Sequence, residues 1–263
     1  MLSDRTILIT GAYSGVGFAC AQACLKGGAK VIIHARTKNE LDGALAKLGA
    51  NAAGIYGDLL EPDIPARIID EAVGKFGRLD GLVNNAASVA RSTIETINAA
   101  HLAEIFAINA SVPLLLIQAA LPHLEAGKDG AIVNIGSINA YTGASKLLAY
   151  SASKGALMTA TRNLGDALAE RAVRINQINI GWTWTENEHK VQLSEGQPEN
   201  WADLAPKALV PRGRLTQPEE VAAHVVFWLS AASAPANGQV YELEQFPLIG
   251  RYVAPMPSSK DEN

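Results

Sequence analysis

Three residues in the middle of the chain have the chemistry to move a proton. Tyr150 and Lys154 stand four apart at the start of a helix-like run, so both project from one helix face. Upstream, residues 131–135 are a short apolar run closed by Gly136, the pattern of a buried parallel strand, and Ser137 sits where that strand ends. A phenol with an ammonium beside it, aimed at a hydroxyl on a strand end, is a proton-transfer device. A free tyrosine has a pKa of about 10, so half-ionisation near pH 7 needs roughly 4 kcal/mol of stabilisation. Lys154 acts in that direction. The competing reading is an ordinary surface Tyr-x-x-x-Lys pair, and the rest of the chain must decide between them.

The elements upstream supply a partner for that device. Residues 6–10 read as a first strand, followed by Gly11, Ala12, Tyr13, Ser14, Gly15, Val16 and Gly17 and then an Ala-rich helical run to about residue 27. Glycines between a strand and a helix let backbone approach a pyrophosphate, and the helix N-terminus offers unpaired N–H groups and partial positive charge. This is a dinucleotide loop. Residues 30–34 form the second strand, whose end carries Ala35 and Arg36 where a ribose-binding carboxylate is expected. A neutral residue followed by arginine leaves room and charge for a 2′-phosphate, which favours NADP(H), with NAD(H) left open. Lys38 adds charge there or sits in solvent.

Farther along, helix 40–48 and strand 52–56 lead to Asp58 and Leu59, placed either at the adenine or at the cap of the next helix. Strand 81–84 runs into Asn84, Asn85, Ala86 and Ala87. The two asparagines brace their surroundings, and the backbone of 85–87 can lie against a cofactor. Asn109 falls at a break between helix 101–108 and the helix that Pro113 starts. Strand 174–180 ends at Gly181, and Trp182, Thr183, Trp184 and Thr185 open an irregular segment, 182–210, with two helix-like fragments. A stretch of that length reads as a substrate lid. Trp182 and Trp184 either line the pocket or pack the lid, and His189 is a substrate ligand or a solvated loop histidine. Helix 218–230, strand 238–243 and a tail at 247–263 close the chain.

With 263 residues, 48% of them hydrophobic, the sequence fits one domain. The formal charge of −4 argues against nucleic acid and acidic membranes as partners. No 18-residue apolar run or signal-peptide pattern appears, so a cytoplasmic protein is expected. The two cysteines, Cys20 and Cys24, share one helix and read as core residues, and no metal-ligand set is evident. Alternating strands and helices imply an α/β Rossmann fold, a doubly wound parallel sheet of about seven strands with helices on both faces. The Gly11 loop, Arg36, Asn85, Ser137 and Gly181 all fall at strand carboxyl ends, where ligands bind.

Over residues 5–243 the sequence resembles a classical short-chain dehydrogenase/reductase. Thr10-Gly-Ala-Tyr-Ser-Gly-Val-Gly17 is similar to the family's cofactor loop, and Asn84-Asn-Ala-Ala87 to its Asn-Asn-Ala-Gly motif with Ala87 for glycine. Asn109, Ser137, Tyr150 and Lys154 match the catalytic tetrad. Residues 179–185 match the segment beside the nicotinamide, with Ile180 in place of proline. Gly213-Arg-Leu and Pro218-Glu-Glu-Val resemble the segment before the penultimate helix, whereas 241–246 lacks the usual Asp-Gly-Gly. The resemblance implies hydride transfer between a nicotinamide and a secondary alcohol or ketone. Tyr150 exchanges the proton, Ser137 orients the substrate oxygen, Lys154 holds the nicotinamide ribose, and Asn109 holds a water linking Lys154 to solvent. It implies a small-molecule substrate and a homotetramer or homodimer. A 3-oxoacyl thioester reductase and a non-catalytic dinucleotide-binding regulator are the alternatives.

Overall fold

The central strands, Thr6–Ile9, Gly81–Asn84 and Gly130–Ser137, are buried along their whole length, whereas the edge strands, Ala52–Tyr56 and Val240–Leu243, are partly exposed. A computed structural model describes residues 1–127 and 129–248. The sheet comprises β1 (Thr6–Ile9), β2 (Lys30–Ala35), β3 (Ala52–Tyr56), β4 (Gly81–Asn84), β5 (Gly130–Ser137), β6 (Val173–Ile180) and β7 (Val240–Leu243). Its order is β3-β2-β1-β4-β5-β6-β7 and every pair is parallel. The seven-stranded Rossmann architecture is as expected. Most of the sequence tail, from residue 249 onward, lies outside the described residues.

The helices are α1 (Gly15–Lys26), α2 (Lys38–Leu45), α3 (Ile64–Phe76), α4 (Ala99–Phe106), α5 (Val112–Ala126), α6 (Asn139–Thr142), α7 (Leu148–Ala167), α8 (Glu186–Ser194) and α9 (Pro218–Leu229). One core packs α1 and α9 against the sheet through Ile7, Ile9, Ile33, Val133, Val225 and Trp228. It also contains Cys20 and Cys24, both free, with burial pushing Cys24 up to about 12. The opposite core sets α3 and α5 on Leu8, Ile32, Leu82 and Ile132. Winding reverses between β1 and β4, so a crevice opens at their carboxyl ends.

Helix limits differ from the sequence reading where caps decide them. Thr37 accepts from the Glu40 N–H and the Glu40 carboxylate accepts from the Thr37 N–H, a capping box that starts α2 at Lys38 rather than residue 40. Segment 182–210 holds one helix, α8, capped by Thr185, in place of two fragments. Between α4 and α5 the break is a π turn, Ala107–Ser111, rather than a gap. The continuous helix Ala99–Ala126 is long and apolar enough to cross a membrane by those criteria, with a mean hydropathy of 1.8. Leu116, Ile117, Ala120 and Leu124 face the protein core.

Candidate active site

Rigid backbone sets the floor of the crevice. Gly11, at φ +60°, lies so close to Ala86 that an added Cβ would come within 3.0 Å of its Cα. A Cβ on Gly17 would overlap the Asn85 amide and the Gly11 carbonyl, so this glycine serves close packing behind the loop. Asn85 Nδ2 donates to Thr10 O (2.8 Å) and Gly11 O (3.1 Å), and Thr10 Oγ1 accepts from the N–H groups of Asn85 and Ala86. Ser14, the cap of α1, makes no side-chain bond to the helix, so it leaves the first-turn N–H groups without that partner. His34, which carried no sequence signal, stitches the loop to the end of β3. Its Nε2 meets Gly57 O at 3.0 Å and its Nδ1 faces the Gly11 N–H at 3.5 Å. Burial lowers its pKa, which keeps the ring neutral beside the loop.

Under the catalytic end runs a chain of buried amides and hydroxyls. Asn84 Nδ2 donates to Asn134 Oδ1, Asn134 Nδ2 to Thr161, Thr161 to Gln177, and Gln177 Nε2 to Asn179, each at 2.7–2.9 Å. These contacts tie β4, β5, α7 and β6 together and fix α7 against the end of β5. Asn84 and Asn85 therefore do brace their surroundings.

On α7, Lys154 is 2% exposed, its Nζ donating to Ile135 O at 2.7 Å and lying 5.8 Å from the centre of the Tyr150 ring. Desolvation lowers Lys154 to about 8. Burial raises the Tyr150 pKa; the nearby Ser137 hydroxyl and Arg91 act downward and Glu188 upward. This departs from the expectation that Lys154 pulls the phenol down. The protein's own groups leave Tyr150 protonated, because taking a phenolate out of water costs more than one hydroxyl contact returns.

Asn109 is fully buried in the π turn. Its Oδ1 accepts from the Ser88 N–H (2.8 Å), and its Nδ2 donates to Ser88 O (2.9 Å) and Ser153 Oγ (3.0 Å). Ser153 in turn donates to Tyr150 O at 2.7 Å. The side chain thus clamps the segment after β4 to the catalytic helix.

Above this floor is a cavity of about 1160 Å³. Of the residues singled out in the sequence, Gly11, Tyr13, Ser14, Val16, Arg36, Asp58, Leu59, Asn85, Ala86 and Ala87 line its nucleotide end. Ser137, Tyr150, Gly181, Trp182, Thr183 and Thr185 line the other. Gly15, Gly17, Asn109 and Lys154 stand behind the wall. Trp184 also lies off the wall and packs with Trp182 against the Trp201, Val210 and Leu215 cluster. Trp182 touches both, stacked on Trp201 with centroids 5.3 Å apart. Thr185 spends its hydroxyl capping α8, and Thr183 Oγ1 donates to Gly181 O. Lys38 is paired with Asp42 at 2.5 Å and lines the hollow beside Arg36 rather than the main cavity. His189 is held between Trp201 Nε1 (3.0 Å to Nδ1) and Glu199 (3.2 Å to Nε2) inside the lid. The sequence reading missed Arg91, Glu188, Gln192, Glu195 and Glu244, all of which line the same cavity.

A family model described as short chain dehydrogenase matches residues 5–196. The chain belongs to the short-chain dehydrogenase family. It is 33% identical to 2-(S)-hydroxypropyl-CoM dehydrogenase 3 of Xanthobacter autotrophicus over 92% of this chain and 96% of that one. A 3-oxoacyl (acyl-carrier-protein) reductase from Agrobacterium tumefaciens, solved with NADP bound, superposes with a TM-score of 0.85 at 29% identity, covering 92% and 93% of the two chains. L-sorbose reductase from Gluconobacter frateurii, complexed with NADPH and L-sorbose, gives a TM-score of 0.87 at 25% identity, covering 92% and 96%. Membership makes this short-chain dehydrogenase a nicotinamide-dinucleotide-dependent oxidoreductase acting on CH–OH groups. The cradle fits that cofactor: Gly11 and Gly17 leave no room for side chains, the α1 N-terminus lacks a side-chain cap, and the cavity reaches continuously to Tyr150.

Proposed function

We propose that the protein interconverts a secondary alcohol and a ketone with NADP(H) preferred, Tyr150 acting as general acid and base. The observation that carries this is the convergence of Ser137, Tyr150 and the glycine loop on one cavity, with Lys154 fixed directly behind. The nicotinamide, when bound, supplies or accepts the hydride. Tyr150 gives its proton to the ketone oxygen, or takes it from the alcohol, and Ser137 holds that oxygen in line. Lys154, fixed behind the cavity wall, is assigned to the nicotinamide ribose, and its ammonium favours the phenolate together with the positive charge of the oxidised nicotinamide. Asn109 holds Ser88 and Ser153 in register with Tyr150 and serves the water relay to Lys154.

For cofactor choice, Arg36 borders both the main cavity and an adjoining open hollow, where Lys38 and Arg67 add positive charge for a 2′-phosphate beside the carboxylates of Asp58 and Glu61. Asp58 and Leu59 border the adenine end. The segment 182–210 acts as the substrate lid within a single domain, and 247–263 as a tail. The protein is placed in the cytoplasm and works as a homotetramer or homodimer; the assembly is supported by Leu114 and Leu115 exposed on α5 and Leu148 on α7.

A 3-oxoacyl thioester is the second reading, favoured by the likeness to the A. tumefaciens reductase. Against it, Arg91, a cation lining the cavity beside Tyr150, is already engaged by carboxylates. Tyr150→Phe decides the catalytic assignment: turnover of any accepted alcohol or ketone is expected to fall at least about 100-fold with cofactor affinity retained. Near-normal turnover would overturn it, and cofactor binding without turnover across a broad panel would favour the regulatory alternative.

A further inference from the structure

Arg91 sits in the segment after β4, yet its position is fixed by the catalytic helix. The neighbouring Ser92 is buried, its N–H donates to Lys146 O, its carbonyl accepts from the Leu148 N–H, and its Oγ accepts from the Ala149 N–H at 3.1 Å. The guanidinium therefore has a set place relative to Tyr150, one residue farther on. From there it reaches across the cavity to the lid. Arg91 Nε donates to Glu195 Oε1 at 2.7 Å, and Nη2 lies 3.9 Å from Glu188 Oε1. That same Glu188 oxygen accepts from Trp182 Nε1 (3.1 Å) and Gln192 Nε2 (2.8 Å). All five side chains border the cavity that contains Ser137 and Tyr150.

This arrangement discriminates among substrates by charge. An anionic keto acid or acyl thioester needs an unpaired cation, and Arg91 is shared between two carboxylates. Lys146 also borders the cavity, but Glu104 and Glu244 add two more carboxylates to the wall. A cationic substrate needs a carboxylate near the phenol that is not already engaged, whereas Glu188, the one that acts on Tyr150, is held by Arg91, Trp182 and Gln192; Glu104 borders the cavity from an exposed position. A hydroxyl, by contrast, both donates and accepts, and it gains from a wall that mixes guanidinium, amide and carboxylate groups beside an aromatic face. Asn139 and Asn187 extend that mixture, and Trp182 supplies the face.

We propose that Arg91, Glu188 and Gln192 are the specificity residues of the pocket and that they select an uncharged, hydroxyl-rich substrate, a polyol or its keto form. The inference rests on the alcohol–ketone reading above and names the substrate class for that site. Arg91 and Glu188 flank the hydroxyls next to the reacting carbon while Ser137 and Tyr150 hold the reacting oxygen. Their charges also bear on the phenol, Arg91 lowering and Glu188 raising the Tyr150 pKa. Removal of either should therefore move the pH profile as well as the selectivity.

The test compares an open-chain four-carbon ketose with butanone, the same skeleton without its hydroxyls, alongside a keto acid, an amino ketone and a 3-oxoacyl thioester. Initial rates are followed at 340 nm in the wild type, Glu188→Gln, Arg91→Lys and Arg91→Met. In the wild type kcat/KM for the ketose is expected to exceed that for butanone at least tenfold. Glu188→Gln and Arg91→Met are expected to shrink that ratio about tenfold, with Arg91→Lys between them and the wild type. The pH limb assigned to Tyr150 moves down in Glu188→Gln and up in Arg91→Met. A wild type that favours butanone, the amino ketone, the keto acid or the thioester overturns the proposal and leaves the alcohol–ketone reading standing. So do variants that lower every substrate alike with no pH displacement, because a merely structural clasp behaves that way. Cofactor binding with no turnover of any substrate defeats both.

Discussion

The two ends of the cavity are built by different means. At the nucleotide end the wall is backbone: Gly11 against Ala86, the open N-terminus of α1, and Thr10 and Asn85 bonded to main chain. At the substrate end it is side chain on side chain, with Arg91 meeting Glu195 across 104 positions of sequence and Trp182 stacked on Trp201. Backbone geometry suits a ligand that never changes, because it is dictated by glycines and strand ends. Side-chain networks suit a ligand that differs among relatives, because one substitution rewires them. Ser137, Tyr150 and Lys154, the proposed catalytic group, sit on the boundary and share both characters.

Lys154→Met strikes that boundary hardest. Turnover is expected to fall at least about 100-fold, since the only ammonium behind Tyr150 among the described residues is removed. Stability is expected to move the other way. Burial lowers Lys154 to about 8 from an ordinary 10.5, so between these values the unfolded chain binds more protons and stability rises with pH. Below pH 8 the full penalty is present, roughly 3 kcal/mol at pH 7. Loss of the Nζ bond to Ile135 O returns about 1–2 kcal/mol of it. The net gain of about 1 kcal/mol should raise the Tm of the cofactor-free protein by about 2–4 °C. A Tm that falls at pH 7 would show that the buried ammonium stabilises the fold, contrary to its environment.

At the nucleotide end Arg36→Ala has a smaller and more selective effect. The preference for NADPH over NADH, measured as the ratio of dissociation constants, is expected to fall about tenfold, roughly 1.4 kcal/mol. NADH affinity should change little. An unchanged ratio would mean that Arg36 packs on the adenine with either cofactor and that the hollow beside Arg67 holds no phosphate.

The same contrast explains what the sequence disclosed. Strand–loop–helix order, the glycine spacing and the Tyr150–Lys154 pair are local patterns, and each appears in the structure where its periodicity placed it. Pro113 marked the break at Asn109, but a π turn and its clamp on Ser88 and Ser153 depend on packing of that turn and α4 against α7 that no local pattern encodes. The capping box at Thr37 and Glu40 was readable and would have set the start of α2. His34 had no signal at all, because its role comes from Gly57, 23 residues away. Arg91 looked like any loop arginine, and only the docking of α8 shows what it meets.

The smallest expected effect lies within segment 182–210, the proposed lid, away from every reacting atom. Trp201→Phe keeps an aromatic ring against Trp182 but deletes the indole N–H that donates to His189 Nδ1. Phenylalanine also leaves some space in a site where Trp201 is 4% exposed. A lost hydrogen bond and a small void together cost about 1–2 kcal/mol, or a Tm drop of about 2–8 °C at the slope expected for a chain of this size. If the lid only shapes the pocket, KM for the ketone should rise about two- to threefold through a looser Trp182, with kcat and cofactor affinity held. A kcat loss above tenfold would instead place Trp201 in the path that aligns Glu188 with Tyr150. The substrate end would then be as catalytically coupled as the boundary it was contrasted with.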